Sequence, residues 1–329
     1  MKEKYNVAVV GASGLVGRTM LKVLEEREFP VDNLKLLASK RSAGKFINFK
    51  DRDYLIEELN ENSFNGIDIA LFSAGGDTSK IYAPFAAREK CFVIDNSSAW
   101  RMDADVPLVV PEVNPNALNN HSYIIANPNC STIQLVVALK PIHLKYGIKR
   151  LICSTYQTVS GAGQKGVDKL MTEINGNIYD NNVKYAFNTA FHPFAENGFT
   201  IEENKMKAEI LKIMEDDSIR IAVTCVRVPT LGGHAESVNL ELEHPFEIHD
   251  IKLLLANTEG IVLMDNPGEN IYPTPEIVND KDPVYVGRIR KDDSVENGLY
   301  LWVVADNLRK GAATNAVQIA EKLIELDLV

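Results

Sequence analysis

A chain of 329 residues is long enough for two domains that each bury a core, and 45% apolar with 24% charged residues is ordinary for a globular protein. A formal net charge of −10 argues against nucleic acid and anionic membrane as partners, so an anionic ligand would need a local basic pocket. Cys91, Cys130, Cys153 and Cys225 show neither metal-ligand nor disulfide-framework spacing, so no metal site and a reducing compartment are expected. No apolar run reaches membrane-spanning length and no signal-peptide pattern opens the sequence, which leads us to expect a cytoplasmic protein.

Val7-Ala8-Val9-Val10 is a continuous apolar run, the pattern of a parallel strand buried on both faces. It leads into Gly11-Ala12-Ser13-Gly14-Leu15-Val16-Gly17 and an amphipathic helical pattern ending near Glu26. Strand, glycine turn and helix form the phosphate-binding start of a dinucleotide fold, where pyrophosphate meets free N–H groups at a helix N-terminus. Gly11, Ser13, Gly14, Leu15 and Val16 are therefore candidate cofactor contacts. The G-x-x-G-x-x-G spacing departs from the standard G-x-G-x-x-G, and a turn that holds no ligand is the competing reading.

The second strand, 34–37, ends in Ala38-Ser39-Lys40-Arg41-Ser42-Ala43-Gly44. Enzymes that use NAD place an acid here for the ribose 2′-hydroxyl, whereas cations and hydroxyls suit a 2′-phosphate. The loop thus points to NADP, with Ser39, Arg41 and Ser42 as contacts; a merely solvated basic loop is the alternative. Two further strands, 67–72 and 91–95, end in Ser73-Ala74-Gly75-Gly76-Asp77 and in Asn96-Ser97-Ser98-Ala99-Trp100-Arg101, with a helix near 80–89 between them. Strand ends of an open parallel sheet face the ligand crevice, so both loops are candidates to line it. On position alone, Arg101 fits an anion ligand and a surface arginine equally well.

Residues 123–125 form another strand-like run, followed by Ala126-Asn127-Pro128-Asn129-Cys130-Ser131-Thr132 and a helical run over about 132–146. Pro128 breaks the strand, and Asn129 or Ser131 is placed to cap the helix. Cys130 then sits at or beside a helix N-terminus, where free N–H groups and the macrodipole stabilise a thiolate. The same groups would stabilise the oxyanion formed when that thiolate adds to a carbonyl. A buried structural cysteine is the bland reading, but the setting favours a nucleophile.

Beyond this point the strands, at 150–159, 219–228, 237–242, 284–289 and 299–305, are longer and many alternate. The expected fold is α/β: a Rossmann-type dinucleotide-binding domain over 1–129, completed by a C-terminal helix within 306–329. An α+β catalytic and dimerisation domain with a mainly antiparallel or mixed sheet would occupy 130–305. The stretch 175–195 reads as loop and a candidate dimer contact. Of the six histidines, His121, His143, His244 and His249 lie beside turns or on helix surfaces and read as structural. His192, in a loop, and His234, after Gly232-Gly233, remain for acid/base work.

Asn127-Pro128-Asn129-Cys130-Ser131-Thr132 closely resembles the nucleophile segment of aspartate-semialdehyde dehydrogenases. Arg227-Val228-Pro229 followed by Gly232-Gly233-His234 resembles that family's substrate-arginine and histidine segment, and the resemblance extends from the first strand to the last helix. It implies NADPH-dependent reduction of L-aspartyl 4-phosphate to L-aspartate 4-semialdehyde and phosphate. The step lies in the branch leading to lysine, methionine and threonine, and the resemblance implies a homodimer.

Position by position, the resemblance implies that Cys130 carries an acyl-thioester, His234 is the acid/base and Gln157 orients the acyl group. Arg227 would grip the substrate carboxylate with its planar fork, and Glu202 would hold the substrate amine. Arg101 and Lys205 would bind phosphate, while Ser160, Gly161 and Asn307 would touch the cofactor. Glu202 and Lys205 also fit an ordinary i,i+3 surface pair. Ala74 stands where some members carry Gln. Two alternatives remain: N-acetyl-glutamyl-phosphate reductase, whose nucleophile segment would look more like Asn-Pro-Gly-Cys-Tyr, and a non-catalytic NADP-binding sensor, which needs none of these side chains.

Overall fold

The chain divides into two units, Met1–Asn129 with Ala312–Val329, and Cys130–Gly311. They are seen in a computed structural model that describes residues 2–120 and 123–329; His121 lies outside the described residues.

The first unit runs β1 (Tyr5–Val10), α1 (Leu15–Glu26), β2 (Val31–Ala38), β3 (Phe46–Phe49), β4 (Arg52–Glu58), β5 (Ile69–Phe72), α2 (Gly76–Arg88), β6 (Phe92–Asp95) and β7 (Ile124–Ala126). Its seven-stranded sheet has the order β3-β4-β2-β1-β5-β6-β7, and all neighbours except the β3–β4 hairpin are parallel. From β1 the chain first moves to one side, then returns to β5 on the other. The glycine turn after β1 therefore lies at the switch point where an open sheet leaves a crevice.

The unbroken apolar run of β1 is explained by cover on both faces: Val7, Ala8, Val9 and Val10 are fully buried. Met20, Val23 and Leu24 of α1 share this core with Val317, Ile319, Ala320 and Leu323 of the C-terminal helix α8 (Thr314–Glu325). Ala312–Val329 belong to this unit, whereas 306–311 belong to the second.

One element differs from simple strand–helix alternation. Between β2 and β5 the chain makes the β3–β4 hairpin, turning on Lys50 and Asp51 with φ of 48° and 59°. Two adjacent positive φ values define the tight turn that matches strand twist. Lys-Asp lacks the Asn-Gly signature of such turns, which hid the hairpin in the sequence.

The second unit contains α3 (Cys130–Tyr146), β8 (Ile148–Gln157), α4 (Gln164–Ile174), β9 (Ala190–Phe191), α5 (Ile201–Met214), β10 (Arg220–Arg227) and β11 (His234–Leu242). It continues with α6 (Ile248–Ala256), β12 (Ile261–Leu263), the short α7 (Pro275–Val278), β13 (Val284–Asp292) and β14 (Gly298–Ala305). Its sheet, β12-β13-β14-β11-β8-β10-β9, is mixed: β8 and β10 are parallel, as are β12 and β13, and the other pairs are antiparallel.

Helix α3 packs against this sheet and against α5, and it is apolar on nearly every side because it is nearly everywhere covered. The opposite side of the sheet exposes Tyr156, 39% accessible, beside Trp302. Among the described residues, no helix is long and apolar enough to cross a membrane.

Candidate active site

Helix α3 begins at Cys130 itself, two residues before the start expected from hydropathy. Ser131 is therefore inside the first turn and is not the cap; its Oγ instead accepts a hydrogen bond of 2.9 Å from Gln157 Nε2. Cys130 is partly buried, while Cys91, Cys153 and Cys225 are buried and burial pushes their thiols up.

His234, the first residue of β11, is fully buried with Nε2 3.1 Å from Cys130 Sγ. The backbone N–H of Thr158 donates to its Nδ1 at 3.0 Å. A nitrogen that accepts from a backbone donor carries no proton, so the neutral ring holds its proton on Nε2, toward the sulfur. Burial, and then the charge of Arg227, lower the pKa to about 3 against the opposing pull of Glu202. The turn before it needs glycine: Gly233 has φ +59°, and a Cβ there would meet Val278 Cγ2 at 2.7 Å.

The sheet register gathers the other groups. Gln157 and Arg227 are cross-strand partners at the C-terminal ends of β8 and β10, and β11 starts alongside. Arg227 Nη1 donates to the Thr158 carbonyl at 3.1 Å. Gln157 Nε2 also reaches Glu202 Oε1 at 3.4 Å.

Glu202 sits in the first turn of α5, which opens with a capping box between Thr200 and Glu203. The second Glu203 oxygen accepts the N–H of Cys225 at 3.0 Å, tying this helix start to β10. Lys205 Nζ lies 3.7 Å from Glu202 Oε2, so the i,i+3 pair does form, with its acid also held by Gln157. His192 is buried next to β10, where β9 pairs Ala190 with Arg227. Its pKa is lowered to about 4 by burial and then by Arg227.

Two glycines keep room beside these side chains. A Cβ on Gly161 would stand 3.1 Å from Arg227 Nη1, and one on Gly311 would stand 2.8 Å from Cys130 Cβ. Ser160 Oγ bonds Asn307 Oδ1 at 3.2 Å. Asp306 accepts from the N–H groups of Leu308 and Arg309, and Arg309 pairs with Asp280 and Asp282 at 3.1 and 2.8 Å, fixing the loop that carries Gly311.

Gly311→Ala is accordingly expected to push the cysteine backbone aside and lower turnover about a hundredfold while the protein stays folded, the scale for roughly 1 Å of misplacement. Steady-state rates beside a thermal melt would check this; an unchanged rate would show that the helix start yields without consequence.

The first unit holds the nucleotide-loop candidates. Gly11 has φ +86°, and a Cβ on it would collide with the Ser73 carbonyl. Gly17 faces the Gly11 carbonyl just as closely. Gly14 precedes α1 without any side-chain cap, and Leu15 and Val16 open the helix. Ser13 Oγ bonds Ser42 Oγ at 3.2 Å, bringing the glycine turn and the second-strand loop together. In that loop the N–H groups of Ser42 and Ala43 fold back onto the Ser39 carbonyl. Arg41 is exposed and forms no ion pair among the described residues. Arg101 is buried, its Nε on the Asn127 carbonyl at 2.9 Å and Nη2 on that of Asn96 at 3.0 Å, so it is not a loose surface arginine.

Gln134, Thr158, Glu236 and Gly311 were not evident in the sequence as site residues, and Ser131 was read there as a candidate cap and not as the partner of Gln157. Helical spacing from Cys130 to Gln134 and strand alternation from His234 to Glu236 were the available signals.

Residues 6–121 match the family model "Semialdehyde dehydrogenase, NAD binding domain", and residues 139–310 match "Semialdehyde dehydrogenase, dimerisation domain". The aspartate-semialdehyde dehydrogenase of Aquifex aeolicus is 55% identical, with 99% of each chain covered. The chain belongs to the aspartate-semialdehyde dehydrogenase family.

The Bacillus subtilis aspartate-semialdehyde dehydrogenase is 48% identical over the whole of both chains. The structure of aspartate semialdehyde dehydrogenase II from Vibrio cholerae, complexed with ASA, superposes with a TM-score of 0.94 at 48% identity, covering 98% of this chain and 99% of that one. An aspartate semialdehyde dehydrogenase with NADP from Candida albicans gives 0.80 at 25% identity, covering 99% and 100%. Membership of the dehydrogenase family makes the protein an oxidoreductase with a nicotinamide dinucleotide cofactor.

Proposed function

We propose that the protein reduces L-aspartyl 4-phosphate to L-aspartate 4-semialdehyde with NADPH and releases phosphate, in the branch toward lysine, methionine and threonine. The 3.1 Å approach of Cys130 Sγ to His234 Nε2 at the start of α3 carries this reading. The helix N-terminus and the Nε2–H both stabilise a thiolate. Its electron pair forms a C–S bond to the acyl carbon, the carbonyl oxygen takes the negative charge, and the C–O bond to phosphate then breaks. The dinucleotide, held by the glycine turn and the second-strand loop, would supply the hydride that reduces the resulting thioester. Breaking the C–S bond gives the aldehyde and returns the thiolate.

His234 holds the acid/base position; in its neutral form the Nε2–H donates a hydrogen bond to the oxygen on which charge develops, and no proton need leave the ring in these steps. Gln157, fixed by Ser131, orients the acyl group. The Arg227 guanidinium takes the substrate carboxylate, Glu202 the amine, and Lys205 and Arg101 the phosphate. Ser160, Gly161 and Asn307 serve the nicotinamide side, and Gly11, Ser13, Gly14, Leu15 and Val16 the pyrophosphate. We read the protein as a cytoplasmic homodimer.

The close approaches of Gly11 and Gly17 fit a turn that must leave space for pyrophosphate, and the loop carrying Ser39, Arg41 and Ser42 fits a 2′-phosphate. Arg41→Ala is expected to weaken NADPH binding by about 1.5–3 kcal/mol, the range for a hydrogen bond to a charged group. NADH binding should change little; a fluorescence titration with each dinucleotide reads both. Equal use of NADH and NADPH by the unaltered protein would rule the loop out as a selector.

The function itself is tested by phosphate-dependent reduction of NADP with aspartate semialdehyde, beside N-acetyl-glutamate semialdehyde. Turnover of the first alone supports the reading. Turnover of the second indicates the reductase, and turnover of neither indicates a sensor.

A further inference from the structure

The face of β11 that carries His234 also carries Glu236, Val238 and Leu240. Val238 and Leu240 are fully buried and apolar, as expected of a strand covered by a helix. Glu236 is buried just as completely, at 0% exposure, opposite Thr155 of β8. Burial pushes its carboxyl well above the usual carboxylate range; Ser131 and Gln134 oppose that shift only in part, and no cation contributes. Burial thus favours the neutral acid over the carboxylate, and even the neutral group costs stability where valine or leucine would pack.

Of the groups near Glu236, Ser131 and Gln134 are one step from the reacting pair, while Thr155 and the buried thiols of Cys153 and Cys225 lie on the sheet side. Ser131 follows Cys130 and accepts from Gln157 at 2.9 Å. Gln134 is one helical turn beyond Cys130, and its Nε2 donates to the His234 carbonyl at 3.3 Å. Gln134 Oε1 is buried without a hydrogen-bond partner, as are both Glu236 oxygens and the Thr155 Oγ1 opposite, so on the α3 side Gln134 offers a bond to the acid proton. Directly or across a bridging water, that bond closes a path from β11 through the first turn of α3 and back to His234.

We propose that Glu236 is a positioning residue: through Ser131 and Gln134 its buried carboxyl sets where Cys130 Sγ stands relative to His234 Nε2. The proposal rests on the roles given above to Cys130 and His234. It is tested with a readout that does not need turnover, the pH dependence of Cys130 alkylation by iodoacetamide, located by peptide mass. Melting temperature, kcat and KM are measured alongside.

E236L keeps the volume and matches its apolar neighbours, so it should melt at or above the parent temperature. Its kcat is expected to fall tenfold or more with KM within about threefold, as for an interaction that acts on the transition state, and the alkylation profile should shift. E236Q keeps a neutral group that both donates and accepts, and should rescue rate and profile to within about threefold. Should E236L fail to fold, Q134M cuts the same path from the helix side and should reproduce the shift.

Parent-like kcat and alkylation in E236L or Q134M would overturn the proposal. Equal damage in E236Q and E236L would also overturn it, because the site would then be using the ionised carboxylate. An active Cys130→Ser protein would instead refute the catalytic reading, and the alkylation profiles would still report on position.

Discussion

Cys130→Ser is expected to lower turnover by about three orders of magnitude or more, because a hydroxyl at its ordinary pKa is a poor nucleophile where a thiolate is a good one. The surroundings sharpen that difference. The first-turn N–H groups of α3 and the proton on His234 Nε2, 3.1 Å from the sulfur, favour a negative charge that sulfur takes readily and oxygen does not. Serine in place of Cys91, Cys153 or Cys225 should cost far less rate, since those thiols are buried. The comparison is made on kcat at saturating substrates, with NADPH binding as a check on folding. A Cys130→Ser variant that turns over near the parent rate would end the thioester mechanism.

His234→Ala should reduce turnover by roughly 10²–10⁴-fold, the range for loss of a placed general acid/base. It should also change stability against pH. His234 has a native pKa lowered to about 3, so between there and the unfolded value of about 6.5 the unfolded chain binds the extra proton. Stability contributed by the neutral ring is therefore lost as pH falls through that window. His192, lowered to about 4, adds to the same slope. Replacing His234 should flatten the slope without removing it, as read by denaturant titrations at several pH values. Near-parent turnover with an ordinary pH–rate profile would move the acid/base role to His192.

Much of the first unit was legible because each buried parallel strand is a plain apolar run that ends in a turn. The glycine turn after Val10 could be placed to the residue, since only glycine tolerates the φ and the close approach at Gly11. The β3–β4 hairpin was not legible, because its turn uses Lys50 and Asp51 in place of a glycine pair. The helical run expected over about 132–146 starts two residues earlier, at Cys130: the apolar pattern begins only at Ile133, while the placement of Cys130 at the helix start holds.

In the second unit Cys130, Gln157, Arg227 and His234 could be named through resemblance, yet pattern alone does not say that Gln157 and Arg227 face each other across parallel strands. The supporting layer was harder still. Glu236 reads as one polar residue in an alternating strand, and only the fold shows that it points inward with the histidine. Gly311 lies far along the chain from the cysteine it abuts, and no local rule connects them.

The alternation of β8 and β11 bears on how these strands tolerate insertions and deletions. Thr155 and Gln157 point to one side and Tyr156 to the other, while His234 and Glu236 alternate with Ala235 and Ser237 in matching register. One residue gained or lost inside either strand would exchange its two sides, turning the polar groups outward and delivering Tyr156 or Ser237 to the helix. Single substitutions at outward positions leave the inward set in place. The length of these strands is thus constrained more tightly than their outward composition, and extra residues are best accommodated in connections such as 175–189, which lie outside the sheet.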